Sequence, residues 1–136
     1  MKKENIKENI IILNDIRSVE NVGAMFRTAD AAGIDKIYLC GYTPAPVDRF
    51  GRKRQDLHKS ALGAEDFVAW EQKPNISTLI TNLKKQKYLI IGIEQDKNSV
   101  DYNIDLIQKF NDHEIDSLVS VGVLTRGQNL YSVDLA

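Results

Sequence analysis

Apolar and polar positions along this chain change period several times. "NIIILND", Asn9–Asp15, is a continuous apolar run closed by polar residues, the pattern of a strand buried on both faces. From Glu20 to Ala32 the spacing lengthens: Val22, Met25, Phe26, Ala29 and Ala32 recur at helical intervals, and Gly33 supplies the stop. "KIYLCG", Lys36–Gly41, returns to strand character. Tyr42 to Ser60 form a long polar connection that contains Pro44 and Pro46. "DFVAW", Asp66–Trp70, predicts a third, shorter strand, and Pro74, Asn75 and Ser77 start a helix that runs to about Lys85. "KYLIIGIE", Lys87–Glu94, is the clearest strand of all. Asn103–Phe110 has helical spacing, and "SLVSVGVL", Ser117–Leu124, is a last apolar run.

Strands alternating with helices predict one α/β domain over residues 1–136, with a parallel sheet covered by helices on both faces. Functional residues of such sheets gather at the carboxyl ends of the strands. The loop at Asp15–Glu20 and the long connection after Gly41 both leave such ends, so they should share one edge. A connection of roughly twenty residues without regular structure is uncommon in a compact domain unless it has a task.

Composition narrows the classes. A chain of 136 residues, 43% apolar and 27% charged, is an ordinary globular domain with room for a core. Its net charge of −1 creates no global field for nucleic acid, so any such binding must rest on a local patch. One patch exists. Asp48 to Lys59 holds Arg49, Arg52, Lys53, Arg54 and Lys59 against Asp48 and Asp56, a net +3 that leaves −4 for the rest of the chain. That is the footprint of a phosphate-contacting arm, and the rings of Phe50 and His58 are of the kind that stack on an unpaired base. The competing reading is a solvated loop. The single cysteine, Cys40, rules out an internal disulfide and sits in a core run. His58 and His113 have no zinc spacing, so no metal is expected, and neither a Walker motif nor GxGxxG occurs. No run approaches the ~20 apolar residues of a membrane span, and none behind the basic start is long enough for a signal peptide. A cytoplasmic location is expected.

Asn21 and Arg27 lie in the first helical segment, where packing needs neither. The ordinary structural reading makes Asn21 the helix N-cap and Arg27 a surface residue with its stem over apolar neighbours. The functional reading starts from geometry. Six residues carry Arg27 roughly 9 Å along the axis and a third of a turn from Asn21, within reach of a site at the helix start. Gly23 and Ala24 leave that first turn bare, so a phosphate or another backbone can approach its amides.

The stretch "IRSVENVGAMFRTADAAGIDKIYL" strongly resembles the first motif of the SpoU/TrmH-type RNA 2′-O-ribose methyltransferases of the SPOUT class, with Asn21, Arg27, Asp30 and Gly33 in the motif's places. "HKSALGAEDFVAWE", His58–Glu71, is similar to that family's lysine–small–alanine–leucine–glycine–alanine segment, and "GIEQDKNSVDY", Gly92–Tyr102, to the segment after its fourth strand. The resemblance covers Ile11 to Tyr102, and it implies a SPOUT-like fold, an RNA substrate (tRNA or rRNA) and S-adenosylmethionine as methyl donor. It implies catalytic roles for Arg27, beside the ribose 2′-hydroxyl and adjacent phosphate, and for Asn21, which shapes the same site. Arg49, Arg52, Lys53, Arg54, His58 and Lys59 are then the expected RNA contacts, and a homo-oligomer is the expected assembly. One departure stands out. Family members continue past the fifth strand with "L-G-N-E-x-x-G", "I-P-M" and "S-L-N-V-S-x-A", the segments of the cofactor-holding trefoil knot. Here "SLVSVGVLTRGQNLYSVDLA" takes the place of the first and the chain stops. The expectation is therefore a truncated or frame-shifted C-terminal part with weak S-adenosylmethionine binding. The alternative function is a non-catalytic RNA-binding or dimerisation module of the same descent.

Overall fold

A computed structural model describes residues 8–92 and, as backbone, a further strand at 118–122. The expected helix at Asn103–Phe110, the chain beyond Gly92 in "GIEQDKNSVDY" and the ending "TRGQNLYSVDLA" lie outside the described residues. The described elements are β1 (Asn9–Asn14), α1 (Val19–Ala32), β2 (Lys36–Cys40), α2 (Gln55–Ala61), a 3-10 turn (Ala64–Asp66), β3 (Ala69–Lys73), α3 (Ile76–Lys85), β4 (Leu89–Gly92) and β5 (Leu118–Gly122). The five strands form one sheet in the order β3-β2-β1-β5-β4, and every pairing is parallel. The chain therefore works outward from β1 to β3, returns to the far edge as β4, and fills the gap with β5. Right-handed crossovers running in opposite directions place their helices on opposite faces of a sheet.

The core shows this division. On one face Leu13, Ile37 and Leu39 pack with Val22, Phe26 and Ala29 of α1, Leu57 and Ala61 of α2, and Ala64 and Val68 beyond it. On the other, Ile10, Ile12, Cys40 and Ile90 pack with Leu79 and Leu83 of α3. Successive residues of a strand point to opposite faces, so β1 can feed both clusters only by being apolar throughout. This is why Asn9–Asp15 shows no polar alternation. Burial of a large apolar side chain stabilises by about 2 kcal/mol, and Phe26, Ile12, Ile37 and Leu57 have no exposed surface at all.

Local chemistry sets the helix ends. Ser18 caps α1, its hydroxyl accepting from the Asn21 N–H at 3.2 Å. Gly33 ends the helix at φ 72°, and Ile34 N–H closes the last turn on the Ala29 carbonyl at 3.0 Å. Asn75 caps α3 through the Thr78 N–H at 3.1 Å.

Two expectations need correction. The connection after Gly41 is not irregular to Ser60: Gln55–Ala61 is a helix, with Leu57 and Ala61 one turn apart on its buried side. The third strand begins at Ala69 and runs to Lys73, whereas Asp66 ends the 3-10 turn and Val68 is a buried packing residue of the connection. "DFVAW" has strand-like composition, but the left-handed Gly63 (φ 83°) bends the chain and delays entry into the sheet by three residues.

Candidate RNA-facing site at the carboxyl edge

The loops after β1 and β2 do meet, and a compact latch joins them. Asp15 follows β1 with φ 53°, a left-handed conformation that aspartate tolerates better than most residues. Its Oδ1 accepts from the Tyr42 N–H at 3.1 Å, while its own N–H donates to the Cys40 carbonyl at 3.2 Å. Gly41 is left-handed too, at φ 59°, and a Cβ there would stand 1.8 Å from Asp15 Oδ1. The missing side chain is thus the space the carboxylate occupies. Thr43 completes the join, its buried hydroxyl donating to the Leu13 carbonyl at 3.0 Å and accepting from the Ile16 N–H at 3.1 Å. Burial, and then the Asp15 carboxylate, push the Cys40 thiol up to about 11, so Cys40 stays a protonated core group. Neither Asp15 nor Thr43 stands out in the sequence. The available signal was the polar pair Asn14–Asp15 closing a buried strand, with a glycine directly after β2.

Helix α1 leaves this edge from Ser18. The cap belongs to Ser18 and not to Asn21, so the Asn21 side chain is released from the structural duty that spacing suggested for it. Asn21 and Arg27 are both exposed, and neither side chain makes a hydrogen bond or ion pair within the described residues. Helical Cβ atoms tilt toward the N-terminus, so the Cα–Cβ bond of Arg27 leans back toward the edge from which the helix starts. The bare turn at Gly23 has a different explanation. A Cβ on Gly23 would lie 1.8 Å from Ser60 Oγ, 2.8 Å from the Leu57 carbonyl oxygen and 2.9 Å from Ala61 N. The glycine is the contact point of α1 with α2, so another backbone fills the space that was also open to a phosphate.

The basic arm is more neutral in space than in sequence. Arg52 Nε pairs with Asp48 Oδ2 at 2.8 Å, Arg54 with Asp56 at 2.8 Å, and Lys53 Nζ with Asp66 Oδ2 at 2.9 Å and Glu65 Oε1 at 3.8 Å. Arg49 stacks on Phe50 and Lys59 is exposed, and neither has a carboxylate partner among the described residues. Hydrogen bonds donated by the Arg52 amide, then by the Phe50 amide and the Arg52 side chain, hold the Asp48 carboxyl below its usual range. His58 Nδ1 meets Glu65 Oε1, whose side chain is 2% exposed, and Glu65 Oε2 is buried with no hydrogen-bond partner among the described residues. His58, Glu65 and Asp66 offer ligand atoms within 4.8 Å of one another. The ammonium of Lys53 already stands beside two of them and supplies their counter-charge. Sequence spacing did not reveal Glu65, because nothing in "GAED" distinguishes the buried acid from its exposed neighbour.

The comparisons with known proteins agree with one another. The family model described as "SpoU rRNA Methylase family" matches residues 8–118. A 23S rRNA (guanosine-2'-O-)-methyltransferase RlmB from Blochmanniella floridana is 32% identical over 105 residues, which are 77% of this chain and 39% of that protein. A solved rRNA methyltransferase from Sinorhizobium meliloti superposes with a TM-score of 0.66 at 22% identity, over 89% of this chain and 42% of that one. An AdoMet-bound rRNA methyltransferase structure from the same organism gives 0.59 at 20% identity, over 90% and 50%. At those identities the structural likeness concerns the fold. The chain spans about two fifths of the length of the RlmB relative it matches.

Proposed function

This chain belongs to the SpoU rRNA methylase family, and from that premise we propose that it acts on tRNA or rRNA as a ribose 2′-O-methyltransferase. The observation that carries the reading is the state of Asn21 and Arg27: both are exposed on a helix that starts at the carboxyl edge, and neither side chain has a hydrogen-bond or ion-pair partner among the described residues. A ribose hydroxyl is a weak nucleophile, so its attack on a methyl group needs a held phosphate and a stabilised alkoxide. A guanidinium keeps its proton at any physiological pH, which makes charge stabilisation, and not proton abstraction, the role of Arg27. Asn21 shapes the loop that receives the ribose.

Arg49 and Lys59 are the cations most available to RNA phosphates. Lys53 and Arg54 reach phosphates by exchanging exposed carboxylates, a step with little cost because such pairs are weakly stabilising, and Arg52 reaches them with the terminal amino groups that its Nε contact to Asp48 leaves. His58 contributes at the foot of the same arm. S-adenosylmethionine is the proposed methyl donor and supplies an electrophilic sulfonium methyl when bound. The register Leu13↔Gly122 brings the end of β5 beside that of β1, so the chain leaves β5 at the edge where Asp15 and Ser18 lie. This placement suits the cofactor role that the family resemblance gives to the segment after β5, a segment outside the described residues. No helix is long and apolar enough to cross a membrane among the described residues. We place the activity in the cytoplasm, in a homo-oligomer, with residues 1–136 counted as one domain of the family.

The test is product chemistry. RNA incubated with the chain and methyl-labelled S-adenosylmethionine, supplied in an excess that offsets the weak cofactor binding expected, then hydrolysed in alkali, should release label in alkali-resistant dinucleotides, since a 2′-O-methyl group blocks cleavage. Label in a base, or none in RNA, contradicts the proposal. RNA binding without transfer would favour the alternative of a non-catalytic RNA-binding module.

A further inference from the structure

The tip of the basic arm is a built object and not a loose loop. Val47 and Lys53 form an antiparallel bridge at its base. Asp48 N–H donates to the Arg52 carbonyl at 2.8 Å, and Gly51 N–H returns to the Asp48 carbonyl at 2.9 Å. The Asp48 side chain then closes the turn from within. Its Oδ1 accepts from Phe50 N–H at 2.8 Å and Arg52 N–H at 2.9 Å, and its Oδ2 from Arg52 Nε at 2.8 Å. Gly51 turns the chain at φ 77°. The result is a short finger whose backbone is fixed by its own hydrogen bonds and closed at its base by the Arg54 N–H donating to the Pro46 carbonyl at 2.9 Å.

At its tip stands Phe50, 66% exposed. The guanidinium carbons of Arg49 and Arg52 lie 4.7 and 5.0 Å from the ring centroid. A solvent-facing aromatic held by so many bonds gains nothing for the fold from its position. Its surroundings suit a nucleotide: a largely exposed ring for the base, with two guanidinium groups over it that bring positive charge for the phosphates. An RNA helix hides its base faces, so the match is to a nucleotide that is unpaired.

From this we infer that the Phe50 finger is a stacking platform for one unpaired base of the RNA substrate, which directs the enzyme to loops or single-stranded segments. The inference rests on the RNA reading given above and adds to it the kind of RNA and the residue that selects it. Arg49 is the phosphate partner of that nucleotide, having no carboxylate of its own among the described residues. Arg52 braces the finger through Asp48 and keeps its terminal amino groups for the ligand. The His58 ring, engaged by Glu65, is not the platform.

The experiment measures binding of the full chain to two fluorescent RNAs of equal length, a single strand and a blunt duplex, across a salt series. Phe50→Ala should weaken single-strand binding by about tenfold, the usual scale for one lost base–aromatic stack, with duplex binding unchanged. Phe50→Tyr should bind as wild type, and Phe50→Leu, of similar bulk but not aromatic, should behave like alanine. Arg49→Ala should reduce the salt slope by about one, whereas Phe50→Ala should leave it intact. Wild-type affinity in Phe50→Ala, or equal loss on both RNAs, overturns the stacking inference while the RNA reading stands. If wild-type protein binds neither RNA, the proposed function itself fails, and the inference with it.

Discussion

Gly41 and Asp15 show how tightly a single residue can be written into this edge. Alanine at Gly41 would have to hold φ near 59° and displace the carboxylate that now fills its side-chain space. The left-handed conformation costs roughly 1–2 kcal/mol for a residue with a Cβ, and the lost Tyr42 N–H bond about 1 kcal/mol more. Gly41→Ala should therefore lose about 2–3 kcal/mol in urea unfolding. Because the clash is with Asp15 itself, Asp15→Ala in the same chain should cost less than the two single losses added together. A Gly41→Ala protein as stable as wild type would mean that the latch is not formed. No residue type in the sequence announces this join, since its meaning depends on two loops 27 residues apart folding against each other.

At the scale of elements, those legible in the sequence are the ones with a sustained apolar run or a cap signal at their start. β1 is apolar because both its faces are covered, and α3 starts where Asn75 and Pro74 say it should. Helix α2 was harder to see, since seven residues give only Leu57 and Ala61 as a buried stripe amid charge. β3 was displaced because its own residues, exposed or half-buried at a sheet edge, are less apolar than the turn before them. That edge is held partly by charge. Glu71 of β3 accepts from Lys73 at 2.8 Å and from Lys36 of β2 at 2.9 Å, and these bonds, Lys73 first, pull its carboxyl from the ordinary 4.5 down to about 2. A carboxylate whose pKa falls on folding stabilises the fold above its unfolded value and loses that contribution as pH drops through the folded one. The Tm of wild type should thus fall more steeply than that of Glu71→Gln between pH 4.5 and 2. Added salt should narrow the gap, since the pairs are partly exposed. Parallel melting curves across the window would show that the bridge contributes nothing.

For the molecule as a whole, the parallel sheet with helices on both faces, and the shared edge of its first two loops, follow from the periodicity alone. The site was legible only in part. Asn21 and Arg27 could be singled out because a packing helix has no use for them, and the structure leaves both at the surface. The basic arm could be counted but not weighed, because the two further carboxylates that pair with Lys53, Glu65 and Asp66, arrive from a turn beyond α2. Gly23 looked like an opening for a ligand and is the seat of α2, a distinction that only packing can make. The central claim is that Arg27 is kept for RNA chemistry and not for the fold. The direct measurement is methyl transfer into RNA by Arg27→Ala in a version of the protein extended to the length of its relatives, taken beside its melting curve. Transfer should fall by at least about a hundredfold, the scale of one lost transition-state charge contact, with stability within about 0.5 kcal/mol of wild type. Retained transfer with a clear loss of stability would contradict the account and make Arg27 a structural residue.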